Sequence, residues 1–317
     1  MDAGVLIQTI LVTAVEEGTI LLLAALGEVY TERSGVLNLG VEGMMAFGAL
    51  MAITSYLFTA NYLIALSVAA MSGLLLSMIH AVLSIHLKSN QIVSGLAITI
   101  LGLGLSGFLG RQILYHGFSI AGTPAQAMKS IAIPGLAAIP VVGPAFFDQN
   151  ALVYFSYLLV AVLWFVMFRT RLGLNIRTVG ENPAMADSLG VNVYAVRYLC
   201  TGIGGLLAGL SGALITLGYY PTWTEGMTLG RGWIAIGLVI LATWSPFRAL
   251  LGAYLFGAVT ALPYTFQSLA IGGIPTDFLQ MLPYAMTLLV LTAISFRGLR
   301  KRLAPPAALG VPYSREE

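Results

Sequence analysis

Carboxylates and carboxamides set in otherwise apolar sequence are the residues of this chain that could do chemistry. Asn38 and Glu42 are four apart, so a helix through both puts them on one face, in a stretch punctuated by Gly35, Gly40, Gly43 and Gly48. A charged group in a membrane-spanning segment costs about 2.5–3.5 kcal/mol on insertion scales and is turned toward protein or a water-filled path. Glu42 therefore has two readings. It lines a path for a polar solute or a proton, or it holds a broken helix by accepting hydrogen bonds from freed backbone N–H groups, with the glycines serving close packing. Glu16 and Glu17 point about 100° apart on a helix and cannot both face one partner, so at least one should face protein or water. Asn90 and Gln91, at the inner end of a later apolar stretch, and Gln267 and Asp277, near an outer turn, are polar enough to touch a hydroxylated solute. Helix capping and loop solvation account for them equally well. Tyr219, Tyr220, Trp223 and Trp233 could stack on the face of a ring, or form an aromatic belt at a membrane surface.

Bond-making chemistry finds little footing. His80 and His86 are six apart, off the same-face helical spacing, and His116 is remote. The single cysteine, Cys200, can form neither an internal disulfide nor a thiolate cluster. No phosphate-binding glycine loop, serine-centred elbow or HExxH pattern is present, so neither a metal nor a cofactor is expected, and nucleic acid is not an expected partner.

The elements that must position these residues are membrane helices. Hydrophobic residues make up 58% of the 317, and charged residues only 9% against about 25% in soluble domains, so the chain cannot cover a water-facing surface. Apolar runs near 5–30, 36–58, 61–86, 91–110, 150–168, 195–218, 232–244, 249–269 and 277–296 predict an all-α polytopic protein with about nine transmembrane helices, eight to ten. The run at 232–244 is short enough to be a half-helix, and 36–58 is glycine-rich enough to be broken. Without a basic n-region before it, the first run is expected to stay in the mature protein. Arg169, Arg171, Arg177 and Arg197 flank one loop, and Arg297, Arg300, Lys301 and Arg302 follow the last run, which assigns both to the cytoplasm. The count then leaves Arg33, Lys88 and Arg248 inside, and the N-terminus, 111–149, 219–231 and 270–276 outside. Arg111, Lys129 and Arg231 oppose the rule. Residues 1–302 read as one transmembrane domain, with 131–147 lying on or dipping into the outer face. The proline-bearing tail 303–317 reads as flexible and cytoplasmic.

The most polar segment, Arg177–Val193 (RTVGENPAMADSLGVNV), reads as a short capped helix. Asn182 suits the N-cap, Pro183 the first helical position, and Gly190 the left-handed residue that ends a helix. The seven residues between form a rod about 10 Å long, too short to cross a bilayer and too polar for a core. It is either a docking element or a connector that happens to be capped.

Ser34–Leu50 (SGVLNLGVEGMMAFGAL) and Arg177–Val193, together with Gly230–Ala242, Pro246–Gly257 and the stretch Leu21–Gly27, resemble the ordered motifs of the permease subunits of ABC importers of the branched-chain amino acid and ribose type. The likeness runs over roughly 20–300 and is greatest to the shorter permease of nucleoside and simple-sugar importers. It implies a type II ABC-importer fold in a bacterial or archaeal cytoplasmic membrane. The implied partners are an ABC ATPase that binds the ATP, a longer second permease, an extracytoplasmic binding lipoprotein and membrane lipid. It also implies that Asn182–Gly190 is a coupling helix seated in the ATPase, with Gly180, Glu181, Asn182, Pro183, Ala186 and Gly190 making or shaping that contact. The pathway candidates are then Asn38, Glu42, Asn90, Gln91 and Trp233. The implied cargo is a nucleoside, with simple sugars and riboflavin as alternatives. A proton-coupled secondary transporter using Glu42 with Glu16 or Glu17 is the rival from another class.

Overall fold

Apolar runs that cannot hydrogen-bond to lipid close their backbone bonds internally, so each becomes a helix. In the computed structural model, which describes residues 3–113, 127–268, 278–279, 281–295 and 304–315, the order is α1 (Ala3–Arg33), α2 (Val41–Thr59), α3 (Tyr62–Ala81), α4 (Gln91–Gly110), β1 (Ser130–Ala132), α5 (Val142–Phe147), β2 (Asp148–Asn150), α6 (Ala151–Arg169), α7 (Arg171–Glu181), α8 (Pro183–Ser188), α9 (Val193–Ala213), α10 (Arg231–Leu241), α11 (Pro246–Ser268) and α12 (Leu282–Ser295). Single π-helical turns extend α3 over Val82–His86 and α9 over Leu214–Tyr219. Seven of these helices are long and apolar enough to cross a membrane, and α10 is a shorter apolar helix. Asp277 and the basic run at Arg297–Arg302 lie outside the described residues, as does the side chain of Gln267.

Asparagine starts five of the described helices, α8 among them. Asn61, Asn90, Asn150 and Asn192 each accept hydrogen bonds from backbone N–H groups of the first turn of α3, α4, α6 and α9, satisfying donors that lipid could not. Asn90 is thus a cap, one of the two roles its position allowed. The segment between α4 and α6 keeps a two-stranded antiparallel hairpin, with Ser130 opposite Asn150, around the short helix α5.

Helices α1, α2 and α9 form the buried centre, while α3, α4, α6 and α11 turn apolar faces outward, with Ile100, Leu158 and Leu251 largely exposed. Small residues set the central spacing. A Cβ on Gly48 would lie 2.6 Å from the Gly209 carbonyl oxygen of α9, and one on Gly43 would lie 2.6 Å from the backbone of Ile98 and Thr99 on α4. Neither neighbour can move without its helix. Gly48→Val is accordingly expected to destabilise the protein by about 1–3 kcal/mol, read as a lower thermal midpoint in detergent, whereas Gly104→Ala, with open space around it, should leave the midpoint in place.

Helix α10 spans only half of the bundle, beside the C-terminal half of α1. Its first residue, Arg231, bonds Glu17, which sits fourteen residues after Ala3 and sixteen before Arg33 in α1. Just past its other end, Trp244 bonds Glu32 in the last turn of α1. Eleven residues at about 1.5 Å each match that half-span. The chain reaches this depth from the opposite end of the bundle, because Trp223 packs against Gly110 and Glu225 pairs with Arg111 at the C-terminal end of α4. The segment 219–231, expected wholly outside, is therefore re-entrant. A helix of eleven residues, ten of them uncharged and mostly apolar, can end at mid-depth because side chains supply the partners its first turn needs.

The tail also departs from expectation. Residues 304–315 pack on the end of the bundle that carries α7 and α8, with Pro306, Ala308 and Tyr313 buried. Prolines make an extended segment inexpensive to order, and its partners are backbone carbonyls and a buried arginine, which leave no apolar period in the sequence.

Candidate functional site

The chemistry concentrates where α10 begins. Leu229 and Gly230 both take left-handed backbone conformations, with φ of 49° and 74°, so the re-entrant loop reverses sharply into the helix. Such a start leaves orphan N–H groups at mid-depth. Glu42, in the first turn of α2 and 4% exposed, satisfies them: its Oε1 accepts from the Gly230 N–H at 2.9 Å and the Thr228 hydroxyl at 2.6 Å, and its Oε2 accepts from the Gly232 N–H at 2.7 Å. The Arg231 N–H donates to the Thr228 carbonyl. A carboxylate at a helix N-terminus also complements the helix dipole. Beside it, Arg231 donates from Nε and Nη2 to the two carboxylate oxygens of Glu17 at 2.9 and 3.0 Å, and from Nη1 to the carbonyls of Met227 and Thr228. The Tyr220 hydroxyl reaches Glu17 as well. Two helices, α1 and α2, thus hold one half-helix by its N-terminus.

A second polar layer lies around the loop between α1 and α2. The loop Ser34–Gly40 is irregular, and Glu28 of α1 accepts from both the backbone N–H and the side-chain amide of Asn38, whose own Oδ1 accepts from Gly40. Gln91 accepts from the Leu37 N–H, and His80 bridges the Leu37 carbonyl and the Ser94 hydroxyl. Glu32 accepts from the Trp244 indole.

At the end of the bundle where α1 finishes, α7 and α8 present the polar loop. The Asn182 side chain accepts from the Met185 N–H, Pro183 opens the helix, and Gly190 has φ +80°. The Val191 N–H donates to the Ala186 carbonyl and the Gly190 N–H to that of Asp187, the paired bonds of a Schellman cap. The rod is closed at both ends.

A family model described as "Branched-chain amino acid transport system / permease component" matches residues 10–291. The chain belongs to this permease family. It is 44% identical to the Haloferax volcanii protein named "Putative glucose ABC transporter permease protein TsgC13" over 95% of this chain and 96% of that one. It is 37% identical to the guanosine ABC transporter permease protein NupQ of Bacillus subtilis, over 92% of each chain. With the nucleoside ABC transporter permease protein NupC of Lactococcus lactis it shares 35%, over 97% of each. Each of these organisms also has a second, more distant relative, TsgB13, NupP and NupB at 27%, 23% and 26% identity, the last over 40% of this chain. A solved structure described as "An inward-facing conformation of a putative metal-chelate type ABC transporter" superposes with a TM-score of 0.52 at 16% identity, covering 90% of this chain and 85% of that one, a likeness of fold.

Placed on this permease, the candidate residues separate. Asn38 and Glu42 do not share a helix face, because α2 begins at Val41 and Asn38 stays in the loop before it. Asn38 is fully buried, Gln91 is buried with its Nε2 unpartnered, Asn90 is an exposed cap, and Trp233 is 38% exposed on α10. Of the polar-loop group, Gly180 and Ala186 are buried, and Glu181, Asn182 and Gly190 are exposed. Gly180 meets the Arg33 carbonyl so closely that a Cβ would clash. Ala186 is fully buried in the core cluster, so it shapes the seat of α8 from behind. The outward side of α8 carries Met185 and Leu189, 57% and 73% exposed, which the glycine and cap pattern did not single out. Their signal was available: two large apolar residues, four apart, in the most polar loop of the chain. Glu28 and Glu32 were also missed, although a four-residue carboxylate spacing at the end of an apolar run is legible.

Proposed function

We propose that this permease forms half of the pore of an ATP-driven importer for nucleosides, in a cytoplasmic membrane, with its N-terminus outside and α8 inside. It performs no bond chemistry and needs no cofactor of its own. ATP is bound by a separate ATPase subunit that receives α8, a longer second permease completes the pore, and an external binding protein delivers the solute. The observation that carries this reading is α8 itself: a rod capped at both ends, backed by buried Ala186 and facing outward with Met185 and Leu189. A closed rod transmits a displacement that a floppy loop would absorb. The paired relatives NupQ with NupP and NupC with NupB support the second permease and the nucleoside. TsgC13, at the highest identity of the three, favours a hexose as the second reading.

Reconstitution with the ATPase, the partner permease and the binding protein tests the substrate. Nucleosides are expected to stimulate ATP hydrolysis, with glucose, pentoses and riboflavin inactive; stimulation by glucose alone would replace the first reading by the second. The coupling contact is tested separately. Burying Met185 or Leu189 in a partner is worth about tenfold in affinity each, so Met185→Glu and Leu189→Glu are each expected to lower ATPase binding and uptake by about that factor. Unchanged binding by both variants would remove α8 from the contact.

A further inference from the structure

The tail makes a set of contacts that the coupling reading of α8 does not itself require. The Ala308 N–H donates to the Gly180 carbonyl at 2.9 Å, and the Ala307 N–H donates to the Glu181 carboxylate at 3.2 Å, which ties the tail to the end of α7. The Gly310 N–H donates to the Gly35 carbonyl at 3.2 Å, which ties it to the loop between α1 and α2. Arg315 pairs with Asp187 of α8 at 3.0 Å, and the Tyr313 ring lies 5.8 Å from that of Tyr194 on α9. Three consecutive helices, α7, α8 and α9, and the sequence-distant loop between α1 and α2 therefore meet on one extended strap.

Arg197 makes the strap integral. It is 1% exposed and forms no salt bridge among the described residues. Its Nε donates to the Ser34 carbonyl at 3.3 Å and its Nη1 to the Val311 carbonyl at 3.1 Å, so half of its hydrogen-bonding comes from the tail. A buried cation stripped of such partners is strongly destabilised. Gly35, at φ +89°, is fitted to the same joint, since a Cβ there would lie 3.0 Å from Arg197 Nη2 and 3.1 Å from the Ala308 carbonyl oxygen. An element that opened and closed would expose this guanidinium each time.

We propose that residues 306–315, through Arg197, are a permanent brace that fixes α8 to the loop between α1 and α2, so that a push on α8 reaches α1 and the half-helix it holds. Arg197 and the strap are positioning residues in energy coupling, and the proposal rests on α8 being the coupling helix.

The test uses the complete reconstituted transporter with guanosine as solute. A chain truncated after Leu303 and the Arg197→Met variant should both assemble with the ATPase and keep its basal hydrolysis, while solute-stimulated hydrolysis and uptake per ATP fall at least about fivefold. Arg197→Lys should recover part of the loss. Unchanged uptake per ATP in the truncated transporter overturns the proposal. If truncation prevents assembly, the pair Asp187→Cys and Arg315→Cys, joined by a short bis-thiosulfonate bridge, decides: native Cys200 is buried and does not compete. Uptake that survives the bridge supports a permanent brace, and uptake blocked by the bridge and restored by reduction overturns it in favour of a moving lid. Met185→Glu separates the two levels, because its failure to uncouple would sink the coupling reading, whereas uncoupling by Met185→Glu with an unaffected truncated transporter would sink the brace alone.

Discussion

Glu42→Ala is expected to lower the stability of this permease by about 2–6 kcal/mol, because it strands two backbone N–H groups, one buried and one partly buried, at about 1–3 kcal/mol each, and to abolish uptake. The donors are those of Gly230 and Gly232, at mid-depth, where neither lipid nor another turn of helix can replace the carboxylate. Thr228 can rotate its hydroxyl elsewhere, but Gly230 and Gly232 are fixed by the helix they start. Glu42→Gln keeps one acceptor oxygen and turns an amide N–H toward a donor, so it should fall between the wild type and alanine in both stability and uptake. Exposure of buried Cys200 to a thiol dye on heating gives the stability, and uptake in vesicles gives the function. All three hydrogen bonds that the Glu42 carboxylate makes among the described residues are donated to it from the start of α10, which supports an anchoring role. The rival secondary-transport reading makes the opposite demand, that uptake stop when the proton gradient alone is collapsed. Glu42→Ala with wild-type thermal behaviour would refute the anchoring role.

The α8 rod was legible to within a residue because its determinants are local: one cap asparagine, one proline and one glycine, each needed for backbone reasons that sequence states directly. The membrane helices were legible because lipid imposes length and apolarity on each one separately. Contacts between elements were not legible. Glu42 offered two readings with the anchoring one favoured, and the hydrogen-bond donors that this reading needs come from the residue 228–232 segment, which is remote in sequence. Arg231 looked like an exception to the charge rule because its depth depends on a re-entrant loop that nothing nearby encodes. The strap was hidden for the same reason, since Ala308 and Gly310 bond through backbone groups that every residue possesses.

The Glu17–Arg231 pair carries the second large effect. Its side chains are 3% and 7% exposed, so removing one partner leaves an uncompensated charge in the interior, and Glu17→Ala or Arg231→Ala should each cost about 3–5 kcal/mol. Replacing both charges by apolar residues of similar volume removes the desolvation cost along with the attraction. Glu17→Leu combined with Arg231→Met should therefore recover most of the stability lost by either alanine variant. It would still fall short by about 1 kcal/mol, because Arg231 also donates to the carbonyls of Met227 and Thr228. Uptake should return with stability, since Glu42 still holds the N-terminus of α10 and the pair serves only to fix that helix against α1. A double variant no more stable than the worse single would mean that charge itself is required at this depth. The exposed pair Arg111–Glu225 is the internal control. At 61% and 54% exposure it is screened by water and salt, and Arg111→Ala should cost less than about 1 kcal/mol and lose even that at high ionic strength. The penalty for breaking the buried pair should be insensitive to salt, so measuring both variants across ionic strength separates a buried structural charge from a surface one in a single protein.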